Sequence, residues 1–276
     1  MAIASKDSTP DAAPAAAAED EVIYELHGHV GVITLNRPEA RNALTWRTYK
    51  LLEDAVRTTS ARCLVITGNG TAFCSGDDVK LVMGGGDKPP EVGAAKAGGP
   101  RLTPAADALL HTNVPVIAAV NGAAVGWGME LTMMADLRVA SEKARFGELF
   151  VLRGLVSDAP GFGRLAQLVG REKAAEMLFT GDIISAEEAL RIGLVNSVVP
   201  FADVESAAKE MAAMIAANSP PALIATKETV DRATSVDEGA QREGAWNHDL
   251  RTTPEHHERF RAAAARVAKG NAGKPG

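Results

Sequence analysis

Val22, Tyr24 and Leu26 alternate with polar residues, the period-two pattern of a half-buried strand. His27-Gly28-His29 supplies a turn, Val30 to Leu35 reads as the returning strand, and Asn36-Arg37-Pro38 ends it. The period then lengthens. Thr45 is placed as an N-cap, and Trp46, Tyr49, Leu52, Ala55 and Val56 recur at helical spacing. Arg62 to Thr67 and Val116 to Val120 read as buried strands, closed by Gly68-Asn69-Gly70 and by Asn121-Gly122. A helix should start near Gly126 to Gly128 and run through Met134, with Leu137 to Ala140 as the next strand. Strands alternating with helices along the middle of the chain predict an α/β fold.

The flanks differ. Residues 1–20 are rich in Ala, Pro, Asp and Ser with no periodic apolar face, the composition of a disordered tail. Residues 84–104 carry so many Gly and Pro breakers that a mobile loop is expected there. A core over residues 21–200 is followed by a separate helical region over 201–276, with Ala-rich helices at 203–217, 220–232 and about 255–268. Periodicity fits both a packing layer and an oligomerisation surface.

Composition narrows the function. The chain has 276 residues, 46% of them hydrophobic and 23% charged, as in an ordinary globular enzyme. A formal net charge of -6 argues against general nucleic-acid binding; a local basic pocket for a nucleotide is compatible with it. Cys63 and Cys74 lack metal-ligand spacing and read as reduced thiols of a cytosolic protein. Neither a membrane-length apolar run nor a secretory signal is evident, so a cytoplasmic protein is expected. The adjacent His256 and His257 should diverge on a helix as surface residues, not as metal ligands.

Two Gly-bearing elbows follow apolar strands: Phe73 to Asp78, and Gly122 to Glu130. Glycine lets the backbone turn so that peptide N–H groups face a ligand. The second elbow feeds a helix N-terminus, where unpaired N–H groups favour negative charge. Facing each other, the elbows would form an oxyanion hole, each donor contributing on the order of 100- to 1000-fold in rate. The alternative is that these glycines serve only tight turns.

Long segments around these elbows resemble the enoyl-CoA hydratase/isomerase (crotonase) superfamily. Gly31 to Leu44 (GVITLNRPEARNAL) is similar to its opening motif, and Ile66 to Asp78 (ITGNGTAFCSGDD) to its first oxyanion loop. Pro115 to Gly126 (PVIAAVNGAAVG), through Phe146-Gly147, is similar to the second loop, its helix and the following strand; Gly161 to Gly170 and Leu178 to Asn196 continue the likeness. The resemblance spans about residues 21–270. It implies a spiral of ββα repeats with a C-terminal helical trimerisation region, giving a homotrimer or dimer of trimers. It implies an acyl-CoA thioester as the bound molecule, with coenzyme A part of the substrate and no further cofactor. The thioester oxygen would accept from the backbone N–H groups of Asp77 and Trp127. Trp127 stands where the family often has glycine and would narrow the acyl pocket. Asp77 stands where many members have a small residue, and its carboxylate would disfavour an anion in the hole unless it points away. Arg37 and Ala40 fall where the family contacts coenzyme A, Asp78 and Val79 fall near its adenine, and Arg266 or Lys269 either neutralises a phosphate or simply ends a solvated helix.

Family hydratases use two glutamates. One matches Glu130; the other matches Phe150, so it is absent here. Glu148, two residues earlier, reads as a solvated or rim carboxylate. Some isomerases of the family place an acid at the position of Asp158, which makes Glu130 and Asp158 the expected carboxylate pair. The residues alone also allow Glu130 as a helix-dipole partner and Asp158 as a turn residue. A hydratase or isomerase is expected; a non-catalytic acyl-CoA-binding protein, or a hydrolase, decarboxylase or dehalogenase on the same scaffold, are the alternatives.

Overall fold

The computed structural model describes residues 20–83, 102–156, 161–232 and 236–271. Most of the tail expected over 1–20, most of the loop expected over 84–104, and Asp158 lie outside these residues.

The chain opens with an antiparallel hairpin, β1 (Val22–His27) and β2 (Val30–Leu35), turned at Gly28 with φ +63°. Helix α1 (Trp46–Thr58) begins as anticipated at Thr45. Thr45 Oγ1 accepts from Thr48 N at 3.0 Å, and Thr48 Oγ1 accepts from Thr45 N at 3.1 Å, which satisfies two amides at the helix start. Strands β3 (Cys63–Gly68) and β4 (Ala72–Cys74) follow, then α2 (Pro104–His111), β5 (Val116–Val120), β6 (Ala123–Val125) and α3 (Trp127–Met134). Next come β7 (Leu137–Ser141), β8 (Arg145–Gly147), α4 (Gly161–Val169) and α5 (Arg171–Thr180). After β9 (Ile184–Ser185), α6 (Ala186–Arg191) and β10 (Ser197–Val199), the chain continues as α7 (Val204–Ala216), α8 (Pro220–Arg232), α9 (Val236–Arg251) and α10 (Pro254–Asn271).

Each pair β3–β4, β5–β6 and β7–β8 sends its first strand to one sheet and its second to another. The sheet orders are β1-β2-β3-β5-β7-β10 and β4-β6-β8-β9, with parallel pairing wherever one repeat meets the next. This is the ββα spiral that the resemblance implied. The turns between paired strands are fastened to one another: Asn121 Nδ2 donates to Gly68 O at 2.8 Å and to Gly70 O at 2.9 Å.

Both faces of the larger sheet are buried. Ile33, Leu64, Ile66 and Ala118 pack toward α1, α2 and α3. Val32, Val65, Ile117 and Val139 pack under Val204, Ala208, Ala212 and Ala216 of α7. Helix α7 is therefore the second cover of the sheet, not an element standing apart beyond residue 200. Its small residues at every fourth position let it lie close to the strands. Helix α8 is tied to the core by Lys227 Nζ to Asp136 Oδ2 at 2.5 Å, with Lys227 itself nearly buried. Helix α9 had no counterpart in the sequence pattern. His256 and His257 lie on α10 with ring centroids 5.5 Å apart, closer than divergence would place them. Among the described residues no group of three His, Cys, Asp or Glu could hold a metal, and no helix is long and apolar enough to cross a membrane. Cys63 and Cys74 are free and buried, and burial pushes both thiols up to about 12.

Gly128 lies against β4 so closely that a Cβ would overlap the Cys74 carbonyl oxygen, a backbone atom with no room to retreat. Gly128→Ala should therefore cost about 1–3 kcal/mol in denaturant unfolding. Gly163→Ala, where a Cβ meets open space within α4, should be neutral or raise stability by up to about 1 kcal/mol.

Candidate active site

The two elbows leave neighbouring strands. β4 and β6 pair in parallel, Ala72 opposite Ala123 and Cys74 opposite Ala124, so the turns that follow them emerge side by side. A Cβ on Gly76 would lie 3.0 Å from Val125 O and 3.3 Å from Trp127 N. Only glycine allows that approach, and Gly76 also has φ +85°. The first elbow is held from behind by α1's approach segment: Leu44 N donates to Gly76 O and Asp78 N to Leu44 O, each at 2.9 Å. The second is held by Gly126 N donating to Gly147 O of β8 at 2.9 Å.

Trp127 is the first residue of α3, and Gly126 caps it without any side-chain hydrogen bond. The amides of the first turn thus open onto the gap beside Gly76 with the positive end of the helix behind them. The opposite end is closed by a cation. Arg138 Nη1 donates to Ala135 O at 2.8 Å and to Thr132 O at 3.2 Å, and its Nε to Leu194 O at 2.7 Å. Burial lowers Arg138 to about 10, with the nearby Arg164 pushing the same way, yet it stays charged at neutral pH.

The Asp77 carboxylate is turned toward α1. Tyr49 Oη donates to Asp77 Oδ1 at 2.5 Å, and the Tyr49 ring meets Trp127 edge-on at 4.7 Å. Asp77 and Trp127, the two side chains expected to crowd the hole and the acyl pocket, therefore converge on one tyrosine. Trp127 is 2% exposed and Tyr49 5%. Tyr49 was read only as part of a helical stripe; nothing in the spacing of α1 singled out its hydroxyl.

Glu130 sits in the first turn of α3 and is fully buried. Its Oε2 occupies the place that a side chain on Gly161, the first residue of α4, would need. Glu148 corrects the sequence reading. It is 1% exposed, not a rim carboxylate. Phe146 of β8 and Glu148, one residue past its end, are two residues apart, the spacing that sends side chains of extended chain to one face, and Phe146 is buried too. That alternation was the available signal. Neither Glu148 oxygen has a hydrogen-bond partner among the described residues. Burial pushes its carboxyl up to about 10, and the negative field of Glu130 adds to the rise. Phe150 leads into the short 3-10 turn Val151–Arg153.

The residues expected to contact the ligand, in the opening motif and the first elbow, also lie close together. The Arg37 guanidinium donates to Asp78 Oδ2 from both Nη atoms at 3.1 Å and to Ala43 O at 2.7 Å. Arg37 is thus committed to a clamp between the opening motif and the first elbow. Burial raises the Asp78 carboxyl, but the Leu81 amide, the Arg37 guanidinium and the Lys80 amide outweigh it, leaving Asp78 below the usual carboxylate range. Ala40 ends the 3-10 turn Pro38–Ala40 beside Ser75, and Val79 is 59% exposed where the chain leaves the elbow. Arg41 and Asn42 both adopt left-handed φ, at 53° and 56°. Asn42 stabilises that conformation by accepting from Arg37 N at 2.9 Å and donating to Ala72 O at 2.8 Å. Arg266 and Lys269 lie along α10.

Comparison with known proteins bears directly on this arrangement. The family described as enoyl-CoA hydratase/isomerase matches residues 25–270. A short-chain-enoyl-CoA hydratase of Clostridium acetobutylicum is 37% identical over 228 residues, 79% of this chain and 84% of that protein. The enoyl-CoA hydratase of Mycobacterium tuberculosis H37Rv superposes with a TM-score of 0.80 at 32% identity, covering 90% of this chain and 97% of that one. A protein of Thermobifida fusca YX described as an enoyl-CoA hydratase, solved in complex with CoA, gives a TM-score of 0.74 at 30% identity over 91% and 95% of the two chains. With a match running from the opening strand to the last helix and through both elbows, this chain belongs to the enoyl-CoA hydratase/isomerase family.

Proposed function

We propose that this enzyme binds an acyl-CoA thioester with the acyl oxygen between the Asp77 and Trp127 backbone N–H groups. A carboxylate then moves protons at the adjoining carbons, so that an enoyl-CoA is hydrated or its double bond shifted. The observation that carries this reading is the approach of Gly76 to Trp127 N, with Glu130 buried one helical turn behind. Polarising the carbonyl acidifies the α-carbon, and a buried carboxylate close by is a competent base. Glu130 is assigned as the base, and Asp158 as its partner on the strength of the resemblance. Coenzyme A enters as part of the substrate, and no separate metal or redox cofactor takes part. Arg37 and Ala40 shape the coenzyme A contact, Asp78 and Val79 border the adenine, and Arg266 or Lys269 neutralises a phosphate. Exposed Met214, Val230 and Phe260 on the C-terminal helices support a homotrimer or dimer of trimers.

The deciding experiment offers the purified protein 2-enoyl-CoA in water and, separately, 3-enoyl-CoA. Glu130→Gln should lower kcat on the order of 100- to 10000-fold on either substrate. Hydration that persists at the wild-type rate in Glu130→Gln would refute the assignment. Hydration that survives Asp158→Ala while 3-enoyl-CoA isomerisation is lost would confine Asp158 to the isomerisation.

Tyr49 keeps the Asp77 carboxylate turned from the hole. Tyr49→Phe should reduce kcat on the order of 10-fold or more, as expected for losing a hydrogen bond to a charged group. Adding Asp77→Ala, which removes the carboxylate altogether, should restore most of the rate; a double variant as slow as Tyr49→Phe would show that the tyrosine acts otherwise.

A further inference from the structure

Glu130 and Glu148 are both removed from solvent, at 0% and 1% exposure, yet they differ in place, since only Glu130 belongs to a helix start. Glu130 lies in the first turn of α3 with its Oε2 against Gly161, the first residue of α4. The N-terminus of α3 therefore favours a negative charge on it. Glu148 has no hydrogen-bond donor on either oxygen and forms no salt bridge among the described residues. A carboxyl so placed is costly as an anion and tolerable as a neutral acid. Paired groups whose environments diverge in this way fall into an acid and a base.

The charges around the pair do not reverse this. Of the elements packed on β8, β6 and β9 carry no charged side chain. On α6, Glu188 is held by Arg191 and Lys173, and Glu187 adds only negative charge. On β8 itself, Arg145 donates to the Ala144 carbonyl. Around α3, α4 presents Arg164, paired with Asp231, and α2 presents Asp107 and His111, paired with each other.

We propose that Glu148 is held protonated beside an ionised Glu130, so that two buried carboxyls keep one proton between them and Glu148 serves as the acid that Phe150 displaces. This rests on the enoyl-CoA reading above. In hydration, Glu130 takes a proton from water as its oxygen bonds to the β-carbon and the π electrons move to the thioester oxygen. The enolate then collapses and its α-carbon takes the proton from Glu148. Transfer of the proton from Glu130 to Glu148 restores the starting state, and one water has been added. Shifting a double bond does not draw on Glu148, because Glu130, with Asp158 as its partner, removes a proton at one carbon and returns one at another.

The protonation state is tested without substrate, by infrared titration of the carboxylic C=O stretch in the intact protein. Wild type should retain a protonated carboxyl at neutral pH that Glu148→Gln lacks; in Glu130→Gln it should ionise at lower pH, because the neighbouring charge is gone. Absence of any protonated carboxyl in wild type at neutral pH overturns the proposal. Linkage gives a second readout. The folded carboxyl holds its proton more tightly than the unfolded one, so its contribution to stability declines as pH rises above the unfolded value of about 4.3 toward the folded one. Tm should therefore fall between about pH 5 and pH 8 more in wild type than in Glu148→Gln; equal slopes count against it. In turnover, Glu148→Gln should lose hydration on the order of 100-fold while 3-enoyl-CoA isomerisation stays within about threefold. Unchanged hydration in that variant refutes the catalytic part. A protonated carboxyl in a wild-type protein that turns over neither substrate upholds the pair and sinks the enoyl-CoA reading.

Discussion

Helix α3 is buried along all eight of its residues, so neither of its polar ends can be left to water. A helix in that position must find partners for its terminal N–H and C=O groups inside the protein. At the C-terminal end the partner is built in: Arg138, itself buried, takes the Thr132 and Ala135 carbonyls. At the N-terminal end Gly126 offers no side-chain cap, and the amides open onto the gap between the elbows. The asymmetry orients the helix dipole toward the site and makes the site the natural place for an anionic oxygen.

The same helix fixes the carboxyl chemistry. Gly128 seats α3 against β4, and Gly161 lets α4 start on the Glu130 carboxyl. Glu148 follows directly on β8, whose Gly147 carbonyl holds the second elbow. The Glu130 and Glu148 carboxyls are thereby both shut away from water. Two carboxyls can share such a place only by differing in charge.

Much of this was legible in the chain. The hairpin, the Thr45 cap, the buried strands and the start of α3 followed from period and punctuation, because local rules govern them. The two elbows were visible as glycine clusters after apolar strands. Their apposition was not, since it depends on β4 pairing with β6 across some fifty residues, as Ala72 opposite Ala123 shows. Glu148 was misread because a lone carboxylate is usually solvated; its phase with Phe146 was the contrary signal. Arg37 was expected at a coenzyme A contact, and its clamp on Asp78 depends on a partner 41 residues away in the chain. The α7 helix was placed correctly along the chain but not against the sheet, since an Ala stripe does not say which surface it will cover.

The close approach of Gly76 to Trp127 N is made entirely by main chain and by glycines without side chains. The spacing of the two turns is consequently indifferent to what residues 77 and 127 carry beyond Cα. A lineage can exchange alanine for aspartate at one, or glycine for tryptophan at the other, and resculpt the cavity while the donors keep their places. Variation in what is recognised is thereby uncoupled from the geometry that recognises the acyl oxygen.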